Sequence, residues 1–447
     1  MSRLVLDGLR GRDAAGKPIR TGVMGAGAYG VGLVAQLAQA PGMVPAAVAD
    51  LDVDAARDAY VAAGFAARDV VRAESAGAAA DAVRAGRPVV VPDGVLLAEL
   101  PLEAVVDSTG VPDVGAEVAA RCLRAGQHVI MVNVEADVVV GAALRRLADA
   151  NGVVYTLADG DQPSLIVTLA DWAASLGLEV IAGGKGTTLW PPGHPRRVQR
   201  ESEPNAKLTN VMFVEGSKSQ MEMASAANAL GWGVDVRGLH HPSARLEEIA
   251  DLFGPSERGG LFGRQPVIDF VNCLTPDGNT EIPNPIAHGV FVVATSENAA
   301  TLHALKSKGV DMSADGTRAL LWRPFHLVGV ETPYSVAQAV LFKTGTGSPL
   351  PDLTVEVVAA AKRDLPAGTV LNGMGGNLVL GLAENADVAA RERLLPLGLA
   401  NQVRLRRPVA ADAVLTYDDL EAYGDTECWR LRREYGLLVE QRAAVAT

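Results

Sequence analysis

Cysteine is scarce in this chain, with three in 447 residues: Cys122, Cys273 and Cys428. None stands in a CxxC or Cys/His pattern, which excludes a disulfide framework and a thiolate zinc site and fits a reduced compartment. Basic residues are in deficit, 40 Lys and Arg against 52 Asp and Glu, for a net charge of −12. A nucleic-acid groove needs the opposite balance, so no nucleic-acid partner is expected. No stretch approaches the roughly 20 apolar residues of a membrane span. Charges scattered through MSRLVLDGLRGRDAAGKPIRTG leave no apolar run for a secretory signal. A cytoplasmic protein with no membrane partner is expected. There is no low-complexity tract, and the 47 glycines follow no three-residue period. What remains is a chain 49% apolar and 21% charged, long enough for about three domains at about 150 residues each.

Residues 20–53 carry the first chemical signal. An apolar strand, TGVM, enters GAGAYG, a helical stretch GVGLVAQLAQ follows, and a second apolar run, MVPAAVA, ends at Asp50. Strand, glycine turn, helix and strand with a closing acid is the pattern of a dinucleotide site. Gly25 allows the tight turn, Gly27 the approach of a pyrophosphate, and Gly30 close helix–strand packing. The backbone of Ala28 and Tyr29 opens the helix, whose free N–H groups attract phosphate. Asp50 is placed to accept the ribose hydroxyls and to repel a 2′-phosphate, which favours NAD over NADP. Arg57, in the next helix, is the group that could still reach such a phosphate. Further on, the strands EAVVD and HVIMV end at polar clusters, Asp107-Ser108-Thr109-Gly110 and Asn133, Glu135 and Asp137, where a nicotinamide would lie. The simpler role for each of these is to cap the helix that follows.

The segment GVVYTLADGDQPSLIVTLADWAASLGLEVIAGGKGT holds the next cluster. Asp159 and Asp161 flank one glycine, so their carboxylates can coordinate a hard divalent cation such as Mg or Mn, or share a proton. Alternatively, Asp161 caps the following helix. Lys185, between glycines at a strand end, is suited to pair with a carboxylate, hold a substrate oxygen or donate a proton to an alkoxide. In LTNVMFVEGSKSQMEMASAANALG a strand is expected before a long helix. Lys218 and Glu222 are four apart on that helix and share a face. Glu222 is the candidate to complete a metal site with Asp159 and Asp161; a surface ion pair with Lys218 is the alternative. His240 and His241 in GLHHP lack a third nitrogen ligand at metal spacing and are expected as loop histidines. WPPGHPRR reads as a flap or substrate loop.

The motifs GAGAYG, MVNVEAD, LADGDQP, GGKGT, EGSKSQMEMASAANALG and LLWRPFHLVG together resemble the homoserine-dehydrogenase-like oxidoreductases with a C-terminal SAF domain. Their best-characterised relatives are the deoxyxylulose-5-phosphate reductoisomerase-like enzymes, a second type of that reductoisomerase. One departure is plain: the relatives' ANKE segment is VNVE here, so Asn133 and Glu135 match but Val134 stands at the lysine position. Lys185 or Lys218 is then the replacement. The resemblance implies an α/β Rossmann domain with an N-terminal arm over 1–150. An α+β catalytic domain over 151–345 follows, its final helix able to pack back on the first. A small all-β, β-clip-like SAF domain with a C-terminal tail occupies 346–447. It also implies an NAD(P)-dependent enzyme acting on a small polar hydroxy or keto substrate, phosphorylated or not, as a reductoisomerase or a simple dehydrogenase. A homo-oligomer, dimer or tetramer, is expected. The alternatives are a sugar-acid lyase or dehydratase and a nucleotide-sensing scaffold. GMGGN (373–377) reads as a structural turn, and CWRLRREYGLLVEQR as an edge strand or tail.

Overall fold

The short valine-rich runs of the first 160 residues become strands of one parallel sheet in the computed structural model, which describes residues 3–201 and 208–439. In chain order the elements are α1 (Leu4–Ala14), β1 (Ile19–Met24), α2 (Ala28–Gln39), β2 (Met43–Ala49), α3 (Val53–Ala62), β3 (Val71–Arg72) and α4 (Ala76–Arg84). Then come β4 (Val89–Val91), β5 (Ala104–Asp107), α5 (Pro112–Arg124), β6 (His128–Met131), α6 (Val134–Ala150) and β7 (Tyr155–Leu157). The strands lie in the order β3-β4-β2-β1-β5-β6-β7, all parallel. The winding reverses between β1 and β5, and the carboxyl ends there open the crevice at which such sheets take ligands. Helices cover both faces, which is why β4 and β5 read as unbroken apolar runs rather than alternating ones.

A mixed sheet follows, built from α7 (Gln162–Ser175), β8 (Glu179–Thr187), α8 (Pro195–Glu201), α9 (Leu208–Glu215), α10 (Ser217–Leu230), α11 (Ile249–Leu252) and β9 (Val267–Asn272), then β10 (Val290–Thr295), α12 (Ala299–Ser307), β11 (Asp311–Met312) and β12 (Arg318–Arg323). Its order is β11-β12-β10-β8-β9, with only β8 and β9 parallel. Phe253 anchors its core, meeting Phe291 and Phe262 edge-on at 4.8 and 5.3 Å. Next are α13 (Thr332–Ala337), extended by a π turn at Gln338–Phe342, β13 (Val355–Ala361), β14 (Val370–Asn372), β15 (Val379–Asn385), α14 (Ala386–Glu392), β16 (Asn401–Arg404) and α15 (Glu427–Glu434). β13 pairs antiparallel with β15, and β14 with β16.

By packing, the described residues fall into two compact units. One unit joins the residues up to Ser164 with Leu327–Pro351, and the other joins Leu165–His326 with the residues from Asp352 on. In the first unit, Val336, Ala337 and Ala339 are fully buried in the cluster that holds Leu33 and Leu37. The C-terminal strands group with the catalytic segment because α10 is hydrogen-bonded into them. Gly381 N–H donates to Ser217 Oγ at 2.8 Å, Ala383 N–H to Gln220 Oε1 at 2.9 Å and Val355 N–H to Asn228 Oδ1 at 2.9 Å.

Two expected elements differ in kind. The apolar run at 208–215 is helix α9, not a strand; a short buried run has no period to separate the two. The C-terminal CWRLRREYG segment is helix α15, not an edge strand. Cys428, Leu431 and Arg432 face inward at helical spacing beside Trp429, and Arg432 pairs with the buried Glu356 at 2.6 Å. The remainder of that segment, from 440 on, lies outside the described residues.

Candidate active site

The glycine turn has the geometry that a dinucleotide requires. Gly25 adopts φ +96°, and its N–H donates to the Ala49 carbonyl at 2.9 Å, closing the turn onto β2. A Cβ on Gly30 would lie 1.9 Å from the Gly25 carbonyl oxygen, so only glycine lets α2 come this close. Gly27 is the N-cap of α2, no side chain caps the helix, and a Cβ there would meet nothing within 4 Å. Open space therefore stands before the N–H groups of Ala28 and Tyr29, as a pyrophosphate needs. On this observation the residues fit NAD(P).

The other expected cofactor residues mostly brace this turn. Asp50 accepts the Ala26 N–H at 2.7 Å and the Asp52 N–H at 2.8 Å, so it fixes the turn that it borders. The Tyr29 hydroxyl bonds to Thr332, and burial pushes this phenol above its ordinary range. Arg57 stays on the exposed face of α3 beside Asp54 and Asp58, at 3.8 and 3.4 Å. The Ser108 hydroxyl donates to the Met24 carbonyl at 2.9 Å, tying β5 to β1, and Gly110 takes a positive φ of +67°. Asp107 gathers the rest: Thr109 donates to it through N–H and hydroxyl at 2.9 and 2.8 Å, and Asn133 Nδ2 at 3.0 Å. Asn133 Oδ1 meanwhile caps α6 through the Ala136 N–H, with Glu135 buried in the same turn. Burial lifts Asp107 to about 6 despite those donors.

Asp159 and Asp161 have separate tasks in this unit. The Asp159 carboxylate is buried and accepts the Ser164 hydroxyl, while its N–H donates to Ser335 at 2.7 Å. Gly160 turns the chain at φ +89°, and Asp161 accepts the Gln162 N–H at 2.9 Å at the start of α7.

In the second unit, Lys185 near the end of β8 forms an ion pair with Glu222 of α10, their side chains 2% and 3% exposed. Glu222, four residues after Lys218 on α10, thus has an ion pair with a strand residue. Lys218 is buried too, with Nζ 6.0 Å from the Phe213 ring centre. Asp159 and Asp161 belong to the first unit and Glu222 to the second. Among the described residues no three His, Cys, Asp or Glu form a group able to hold a metal.

Sequence reasoning missed Asp269. Its carboxylate, buried within β9, accepts the N–H groups of His240, His241 and Phe270 at 2.8, 3.0 and 2.7 Å. Burial raises it to about 6. It holds a strained loop, in which Leu239 and His241 adopt φ of +66° and +38°. The signal was present as a lone acid within the apolar run VIDFVN. His240 pairs with Asp235 at 2.8 Å, and His241 stacks on Phe270 at 5.5 Å, its pKa lowered by burial. Both histidines line a cavity of about 490 Å³ together with Trp190, Arg197, Asn272 and Leu380. The loop read as a flap thus contributes its wall, although Lys185, Lys218 and Glu222 do not line it.

Residues 160–332 match the family model described as the catalytic domain of oxidoreductase DRL. No match was found among curated proteins. Among solved structures, the chain is similar to a probable dehydrogenase from Thermotoga maritima, with 14% identity, 74% of this chain and 90% of that one covered, and a TM-score of 0.38. A myo-inositol dehydrogenase from Corynebacterium glutamicum shows 11% identity over 73% and 90%, with a TM-score of 0.37. The 1-deoxy-D-xylulose 5-phosphate reductoisomerase from Zymomonas mobilis, in complex with NADPH, shows 12% identity over 47% and 57%, with a TM-score of 0.35. The oxidoreductase domain follows a glycine turn built for a dinucleotide: the chain is an NAD(P)-dependent oxidoreductase.

Proposed function

We propose that the enzyme interconverts a carbonyl and an alcohol on a small polar, phosphorylated or carboxylated substrate, with Lys185 as the proton donor and acceptor. The observation that carries this reading is the buried Lys185–Glu222 pair inside the matched catalytic domain. A buried ion pair is a costly way to stabilise a fold, so its retention points to chemistry. In the reductive direction Lys185 gives its proton to the developing alkoxide, and Glu222 holds the ammonium group in position. Water excluded from both groups strengthens that interaction. The turn at Gly25–Gly30, with the N–H groups of Ala28 and Tyr29, binds the cofactor's pyrophosphate, and Asp50 selects NAD over NADP. The bound nicotinamide supplies the hydride.

The cavity lined by Arg197, His240 and His241 takes the substrate's anionic end, with Lys218 held nearby on α10 as a further positive charge. The reading calls on no metal for the proton or hydride steps. The resemblance to homoserine dehydrogenases, the SAF character of the C-terminal strands, a homo-oligomeric state and a cytoplasmic location belong to the same proposal. Its support is the set of shared motifs and the antiparallel strand pairs of the C-terminal module. The test is turnover at 340 nm with NADH and NADPH against hydroxyketone phosphates and hydroxy acids. Lys185→Met should bind NADH like the wild type and lose at least a hundredfold in kcat. Normal turnover by that variant would remove Lys185 from the mechanism.

A further inference from the structure

At the opposite end of the parallel sheet from the glycine turn, the chain gathers positive charge that its net −12 does not foretell. A cavity of about 580 Å³ opens there, among residues at or just before the starts of β1, β2, β4 and β5. Arg12, Lys17, Arg20, Arg84 and Arg87 line it, against one carboxylate, Glu103. Two of the five have ordinary duties. Arg12 pairs with Glu103, Arg84 pairs with Asp81 at 2.9 Å, and both sit in last turns of helices, where a cation offsets the helix dipole.

Lys17, Arg20 and Arg87 have no such account. They lie beyond the helices and form no ion pair with a described residue. Arg87 reaches only the Asp69 carbonyl, at 3.5 Å. Arg20 Nε is buried with no hydrogen-bond partner, although a buried donor is ordinarily paired. The remaining wall is apolar and includes Pro18, Pro45, Pro88 and Phe65, whose ring is braced edge-on by Tyr60 at 5.3 Å. The seven residues of β2, at about 3.3 Å each, put this cavity roughly 20 Å from the pyrophosphate turn.

We propose that this cavity is a second ligand site, specific for a small phosphate monoester that carries a flat apolar group. Guanidinium forks suit phosphate oxygens, and the Phe65 face with its prolines suits a ring. The volume is that of a small-molecule pocket, and the acidic chain as a whole argues against a polyanionic macromolecule. The inference does not depend on the redox reading.

The probe is phenyl phosphate, titrated calorimetrically into the full chain with and without saturating NADH. One site per chain is expected, with the same Kd in both conditions and no heat from phenol. Arg20→Gln with Arg87→Gln should weaken phenyl phosphate at least tenfold and leave NADH affinity unchanged. Should that pair melt at a lower temperature than the wild type, Lys17→Gln, on an exposed turn, should weaken it at least threefold. Displacement of the probe by NADH would place it in the nucleotide crevice and overturn the proposal. So would no detectable binding, or binding unchanged by these substitutions. Failure of NADH to bind would sink the cofactor assignment and leave this site standing.

Discussion

The pair of Lys185 and Glu222 allows a test that separates folding from chemistry. With both side chains within 3% of full burial, removing one takes its ion-pair partner from a buried charge. Such losses cost about 3–5 kcal/mol, whereas replacing both partners with apolar groups is often neutral or stabilising. Lys185→Met and Glu222→Leu should therefore each destabilise by about 3–5 kcal/mol, while the double variant recovers most of that. The readout is convenient, because all five tryptophans, at 172, 190, 232, 322 and 429, belong to the unit that holds the pair. Their emission during urea unfolding follows this unit alone. The double variant should then be folded and inactive, which is the signature of a pair kept for its chemistry. Single variants within about 1 kcal/mol of wild type would mean that the pair behaves as a solvated surface contact, and the argument would fail.

Other consequences can be checked separately. Gly27→Ala should leave the melting temperature unchanged, since its Cβ meets nothing, yet weaken NADH in calorimetric titration; Gly30→Ala, 1.9 Å from a carbonyl oxygen, should impair both. Burial lifts Asp269 from near 4 to about 6, so the folded unit holds that proton more tightly than the unfolded chain does. Its contribution is thus greatest below pH 4 and falls by about 3 kcal/mol as pH rises to 6. Asp269→Asn should lack that decline when urea unfolding of the two proteins is compared from pH 4 to 6.5. Arg432→Met should cost about 3–5 kcal/mol by leaving Glu356 buried alone, and Glu356→Gln in addition should restore part of it.

The parallel sheet was legible because its signals are local. GAGAYG, its flanking runs and Asp50 sit within one stretch of about thirty residues, and the turn chemistry there is dictated by backbone geometry. Lys185 was legible as an oddity, a charge between glycines in a strand, but its partner was not. That Glu222 lies beside it depends on how α10 packs in the fold, a contact between residues 37 apart. Asp269 escaped notice for the same reason, since its three donors are backbone groups, two of them from a distant loop. The helices α9 and α15 were misread where tertiary burial, rather than periodicity, decides the conformation. Ser108 and Asn133 show the other limit: polar residues at strand ends serve the protein's own turns as readily as a ligand.

The return of α13 to the parallel sheet also bears on how the protein is made. Synthesis delivers the residues up to Ser164 first, yet their shared apolar cluster lacks Val336, Ala337 and Ala339 until the intervening segment has been added. At about 5–20 residues per second this leaves an apolar flank exposed for roughly 10–35 s on each ribosome. The nascent N-terminal half is therefore the stage at which chaperones or aggregation would act. A chain stopped at residue 326 should remain in that vulnerable state permanently.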